Sequence, residues 1–467
     1  MSTIKHIDTS KNIAGLGKQR SYSEVVEFLN SHWQINSKET SVERMKKLDK
    51  LFGSPSQKIR SILIEGTNGK SLTAHFASKL FKEEGFTVGT YYAPHILTYN
   101  ERFSLDNENI QNKNFTEYAN EIIEAAEQAK LTVSTKEILT QLAFNYFAKS
   151  NVDIAIFESA QGGASDPVSI CKPTIVAVTR ITANEVNEDG EAPADILNEY
   201  FGTVQKETYV LSADQNKANL KRMEELVEKI GGKWGMPVRK LAPFAYPFEQ
   251  LHGRCGALAE RIVSTYINSC LQDQSLILET SLLAKKKGQR GRPTLDAKRE
   301  SELHPKRTLE QFWKETSNTL SGRFQVLEKE KPTILLDTAS NIDAINNLLL
   351  GIRLLHYYKT LKGLTIILAF EKDLLNQEEF LKTIRYFFKK TSGNIVVCPT
   401  PEGSSWDAEK INEEMTALKI KSRAAGSFKD ALDFAKKNIN ERNGLIVIAG
   451  SASLVREYWN LKGIKKF

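Results

Sequence analysis

Short, nearly unbroken apolar runs recur along the chain, each followed by a turn and then by apolar positions three and four residues apart. Runs at 61–65, 88–92, 152–158, 174–179 and 208–212 predict strands, because a strand buried on both faces leaves a continuous apolar run. Helical spacing fills 114–130 and 137–148 between them. Val25, Val26, Phe28 and Leu29, then Met45, Leu48 and Leu51, give helical periodicity over 22–52. A second series follows a densely charged stretch, with strands at 333–337, 364–369, 394–398 and 444–449 and helical segments near 341–358, 375–390, 405–417 and 427–439. Alternation of strand and helix predicts parallel sheets covered on both faces, an α/β class. No internal repeat accompanies it.

The turn after the first run carries candidate chemistry. Ile62-Leu63-Ile64-Glu65 leads into Gly66-Thr67-Asn68-Gly69-Lys70-Ser71, and Leu72 through Phe81 reads as a helix. Strand, glycine-bearing turn and helix N-terminus form a phosphate cradle: backbone N–H groups converge on anionic oxygens and the helix dipole adds positive charge. Lys70 is placed to reach terminal phosphates and Ser71 to hold Mg²⁺. The full P-loop pattern needs a glycine where Ile64 stands, so this is the shorter G-x-x-G-K-S form. Glu158 and Asp337 each end an apolar run, Ile154–Phe157 and Thr333–Leu336. Carboxyl ends of parallel strands are where such sheets bind ligands.

The chain has 467 residues, more than one core supports. We expect a P-loop-type, mainly parallel ATPase domain over 1–310, with a helical lead-in, and a smaller Rossmann-like α/β domain over 311–467. No apolar run approaches the ~20 residues of a membrane span, and the first residues contain no hydrophobic signal core. Cys171, Cys255, Cys270 and Cys398 are scattered without metal-ligand spacing and read as reduced thiols of a cytoplasmic protein. The net charge is +7, concentrated in Lys285-Lys286-Lys287-Gly288-Gln289-Arg290-Gly291-Arg292-Pro293. This stretch, within an insertion at about 284–307, reads as a solvated loop rather than a nucleic-acid hook.

The order of motifs resembles that of the folylpolyglutamate synthase/dihydrofolate synthase family of the Mur ligase superfamily. The matching elements are Gly66-Thr67-Asn68-Gly69-Lys70; Ala93-Pro94-His95-Ile96 with Asn100-Glu101-Arg102-Phe103; Glu158-Ser159-Ala160-Gln161-Gly162-Gly163 with Asp166; Gly322-Arg323-Phe324-Gln325; Asp337-Thr338-Ala339-Ser340-Asn341; and Ile448 through Val455. The resemblance implies an ATP-dependent ligase that phosphorylates a folate or pteroate carboxylate and joins it to the amine of glutamate. It implies ATP at Gly66, Thr67, Asn68, Gly69, Lys70, Ser71, Arg323 and Asp337; Mg²⁺ at Ser71, Glu158 and Glu185; substrate contacts at Pro94, His95, Glu101 and Arg102; and catalytic roles for Lys70, Glu158 and Glu185. The implied partners are small molecules, with no membrane or nucleic acid, and a monomer is expected.

Several positions depart from the family pattern. Ala93 stands for a metal-ligating serine, Asn184-Glu185 for Asp-His, Tyr200 for a carbamylated lysine, Cys255-Gly256 for His-Gln, Ser340 for histidine and Ala164 for arginine. Two alternatives therefore stay open: a catalytically impaired homologue that binds nucleotide or a partner, and a ligase with a non-folate acceptor.

Overall fold

The structure, a computed structural model, describes residues 19–160, 162–182, 191–235, 238–271, 273–278, 280–284, 307–372 and 376–467. The basic run at 285–293 lies outside them.

The periodicity over 22–52 resolves into two helices, α1 (Tyr22–Ser31) and α2 (Ser41–Leu51). Ser21 and Thr40 begin them with capping boxes closed by Glu24 and Glu43, each satisfying amide groups that a helix start leaves free. The first sheet then forms from β1 (Ser61–Glu65), β2 (Val88–Tyr91), β3 (Phe103–Leu105), β4 (Glu108–Asn109), β5 (Ile154–Glu158), β6 (Pro173–Val178), β7 (Tyr209–Ser212) and β8 (Lys233–Trp234). Their order is β4-β3-β2-β5-β1-β6-β7-β8. β2, β5, β1, β6, β7 and β8 run parallel, while β3 and β4 add an antiparallel edge. Helices α3 (Lys70–Glu83), α4 (Asn112–Gln128), α5 (Thr135–Lys149), α6 (Ala194–Phe201), α7 (Lys217–Ile230), α8 (Phe248–Thr265) and α9 (Leu309–Glu315) complete this part. One face buries Phe144, Phe147 and Phe157 with residues of α1, α2 and α4. The other buries Phe76 and Phe81 with residues of α8 and α9.

The second sheet contains β9 (Gln325–Leu327), β10 (Thr333–Asp337), β11 (Leu364–Leu368), β12 (Asn394–Val397), β13 (Ser422–Ala424) and β14 (Leu445–Ala449). Its order is β13-β12-β11-β14-β10-β9, with only β9 antiparallel. α10 (Ile342–Tyr358), α11 (Gln377–Phe388), α12 (Ala408–Ala417), α13 (Phe428–Lys437) and α14 (Ala452–Leu461) cover its two faces. Both sheets are thus mainly parallel and covered on both faces, the α/β architecture expected.

The strands absent from the sequence reading (β3, β4, β8, β9 and β13) are two or three residues long. So short a strand shows no alternation to read. The expected division at 310/311 falls inside α9, whose Phe312 and Trp313 pack in the core of the first sheet. Trp313 is fully buried, its ring centroid 5.1 Å from that of Phe244 and 6.1 Å from that of Phe76. Among the described residues no helix is long and apolar enough to cross a membrane.

Removing this ring leaves a large void. Trp313→Ala is expected to destabilise the first unit by about 3–5 kcal/mol, read as a lowered urea midpoint. A loss under about 1 kcal/mol, the scale of exposed substitutions, would show that α9 is not part of that core.

Candidate functional site

The candidate phosphate loop leaves β1 at the middle of the first sheet. Gly66 has φ +121°, and a Cβ there would lie 2.2 Å from Thr179 Oγ1 and 2.9 Å from the Arg180 carbonyl. Only glycine supplies both that conformation and that closeness. Thr67 N–H donates to the Arg180 carbonyl at 2.7 Å, and Gly69, at φ +91°, begins α3. Lys70 Nζ curls back onto the Gly66 carbonyl at 2.5 Å and the Thr67 carbonyl at 3.4 Å.

Below the loop, the Ser71 hydroxyl donates to Glu158 Oε1 at 2.9 Å, and Ala93 N–H lies 3.4 Å from Glu158 Oε2. Glu158 is 3% exposed. Burial raises its pKa, and the charges of Lys70 and Arg323 oppose that rise.

The opposite wall comes from the second sheet. Asp337 accepts Phe324 N–H at 2.9 Å and Ala339 N–H at 2.7 Å, bracing the turn that bears Arg323. Burial pushes its pKa up to about 6, against the pull of Arg323. Arg323 donates to the Thr338 hydroxyl. Asn68, on the phosphate loop, bonds Asn341 at 3.0 and 3.1 Å and Asp343 at 2.8 Å, both at the start of α10. Arg180 pairs with Asp343 at 3.3 Å. A cleft of about 730 Å³ lies between these walls, lined by Thr67 through Ser71, Pro94, Arg102, Glu158, Arg323 and Asp337.

No family model matches the chain. A dihydrofolate synthase/folylpolyglutamate synthase of Bacillus subtilis is 32% identical over 217 residues, 45% of this chain and 47% of that protein. A folylpolyglutamate synthase of Lacticaseibacillus casei is 27% identical over 237 residues, 50% of this chain and 54% of that protein. The chain spans about half the length of the curated relatives it matches. Mycobacterium tuberculosis folylpolyglutamate synthase complexed with ADP superposes with a TM-score of 0.73, over 95% of this chain and 98% of that one, at 20% identity. The Thermotoga maritima folylpolyglutamate synthase gives 0.68 over 95% and 98%, at 21% identity. The chain has the folylpolyglutamate synthase fold.

Within that fold the expected site residues separate into groups. Those lining the cleft converge as described, and Gly66 opens the loop behind them. His95 and Glu101 line a smaller adjoining cavity of about 220 Å³, which shares Ser71, Pro94 and Arg323 with the cleft. Glu101 accepts the backbone N–H groups of Ile96, Leu97 and Thr98 at 2.6–2.8 Å, the contacts of a loop clamp. His95 Nδ1 accepts from Arg102 Nε at 2.9 Å, and burial drives its pKa down to about 2, leaving a neutral ring. Glu185 lies outside the described residues. Of the departing positions, Tyr200 packs on Gly162 and Cys255 on Gly69.

Other residues carry no sequence signal of their own. Arg180 and Asp343 matter only because two distant segments meet. His252 lines the cleft, stacks on Phe248 and, among the described residues, has no partner for Nδ1. Glu65 is fully buried at the end of β1, bonded to Ser159 and Gly163, and burial lifts its pKa to about 8. Asp166 adds to the rise, while the bonds to Ser159 and Gly163 and the charge of Lys70 oppose it.

The folded chain keeps a proton on Glu65 between pH 4.5 and about 8, where the unfolded chain has lost it. Stability therefore falls as pH rises through that window. Glu65→Gln is expected to flatten this part of the profile of unfolding temperature against pH. An unchanged slope in the variant would assign the dependence to other groups.

Proposed function

We propose that the chain is an ATP-dependent amide ligase that adds L-glutamate to a folate-like or pteroate carboxylate. The observation that carries the proposal is the convergence of Lys70, Ser71 and Glu158 from the first sheet with Arg323 and Asp337 from the second on one cleft. The likeness to folylpolyglutamate synthases along nearly the whole chain supports it.

A carboxylate is a poor electrophile, so its oxygen first attacks the γ-phosphorus of ATP and ADP leaves. The amine of glutamate then attacks the acyl carbon, phosphate departs, and an amide remains. In this reading Lys70 Nζ exchanges its two carbonyl partners for phosphate oxygens and neutralises charge as the phosphoryl group moves. The N–H groups from Gly66 to Ser71 cradle the phosphates. Arg323 approaches the nucleotide from the far wall, and Asp337 holds the turn that aims it. Pro94 and Arg102 face the acceptor.

Ser71 and Glu158 suit Mg²⁺: both offer hard oxygen donors, they lie 2.9 Å apart on the cleft floor, and Mg²⁺ is commonly held by one or two carboxylates with phosphate oxygens. Bound there, Mg²⁺ would neutralise charge on the phosphate oxygens. Closing the cleft excludes water, which would otherwise hydrolyse the acyl phosphate. We assign the chain to the cytoplasm as a monomer acting on small molecules; its four cysteines are free.

The test is ADP release with Mg²⁺, ATP, glutamate and a panel of dihydropteroate and tetrahydrofolate acceptors. Release is expected to require both acceptor and glutamate and to fall at least ~10²-fold in Lys70→Ala, the scale of losing one charge-stabilising donor. No release with any acceptor, while ATP still binds, would replace the ligase by a nucleotide-binding homologue.

A further inference from the structure

One fully buried acid has no part in the chemistry above. Glu65 is the last residue of β1 and immediately precedes Gly66; Ser159 immediately follows Glu158. The Glu65 carboxyl spans the space between the two segments. Ser159 Oγ lies 2.5 Å from Oε2, and Gly163 N–H is 3.1 Å from each carboxyl oxygen.

The far side of the same loop is closed by α6. A Cβ at Gly162 would lie 2.1 Å from the Tyr200 ring, and one at Gly163 would lie 2.4 Å from the Glu199 carbonyl oxygen. Ala164 N–H donates to that carbonyl at 2.8 Å. The segment after Glu158 is therefore gripped between Glu65 and α6. An apolar side chain at position 65 would fill the volume and leave the Gly163 N–H and the Ser159 hydroxyl without this partner, a costly arrangement in a buried place.

We infer that Glu65 is a positioning residue: by bridging to Ser159 and Gly163 it sets Glu158 against Ser71, and with that the geometry at which a magnesium–nucleotide complex is held. The inference rests on the ligase reading, because it requires nucleotide at the phosphate loop.

The experiment measures binding of the fluorescent analogue mant-ATP to the full chain as a function of Mg²⁺ concentration, with thermal unfolding followed in parallel. Glu65→Gln keeps a carbonyl oxygen that accepts from the Ser159 hydroxyl and the Gly163 N–H, and is expected to half-saturate at the wild-type Mg²⁺ concentration. Glu65→Met removes both bonds and is expected to need ~10–100-fold more Mg²⁺, the scale of losing a partner that orients a metal ligand. Ser159→Ala deletes one bond and should fall between them.

A folded Glu65→Met variant with the wild-type Mg²⁺ requirement overturns the inference and leaves the ligase reading standing. Should Glu65→Met not fold, Ser159→Ala decides: a raised requirement at an unchanged unfolding temperature supports the inference, and a wild-type requirement overturns it. A wild-type chain that takes up no mant-ATP at any Mg²⁺ concentration removes the ligase reading and this inference together.

Discussion

The phosphate loop passes so close to Thr179 and Arg180 that a single Cβ at Gly66 would collide with both. From that approach the rest of the cleft follows. The loop hydrogen-bonds the Arg180 carbonyl, turns at Gly69 into α3, and presents its amides at the C-terminal ends of β1, β5 and β6. Strand order then decides the neighbours: β5 lies beside β1, so Glu158 arrives beneath Ser71 with no long side chain needed to reach it. A parallel sheet with crossover helices makes this arrangement available at one end only.

Burial shapes the electrostatics of the cleft. Glu65, Glu158 and Asp337 all have pKa values raised chiefly by removal from water. Lys70 and Arg323 act on Glu158, and Arg323 on Asp337, in the opposite sense. The histidines nearby are held neutral by the same desolvation: His95 and His252 have pKa values near 2 and 4. Cationic charge in the cleft is thus supplied by lysine and arginine.

Among the described residues, polar contacts near the loop at 66–71 tie the two units together. Asn68 reaches Asn341 and Asp343, and Arg180 reaches Asp343, so the start of α10 is tied to the phosphate loop itself.

Much of this was legible in the chain. The long strands announced themselves because burial on both faces demands unbroken apolar runs, and the glycines at 66 and 69 announced the tight strand-to-helix turn that their backbone makes. Glu158, Asp337 and Arg323 stood out by their places at strand ends or in motifs. The short edge strands left no pattern, being too brief for periodicity. Nor did the chain itself show that Glu101 would be occupied clamping backbone amides, that α9 would complete the first core, that Glu65 would bridge to Ser159 and Gly163, or that Arg180, His252 and Asp343 would line the cleft. Local sequence determines which segments form strands, helices and tight turns, because those depend on neighbours along the chain. Which buried acid faces which loop depends on strand order and helix packing between distant segments, 275 residues apart for Asn68 and Asp343, and only the folded chain decides that.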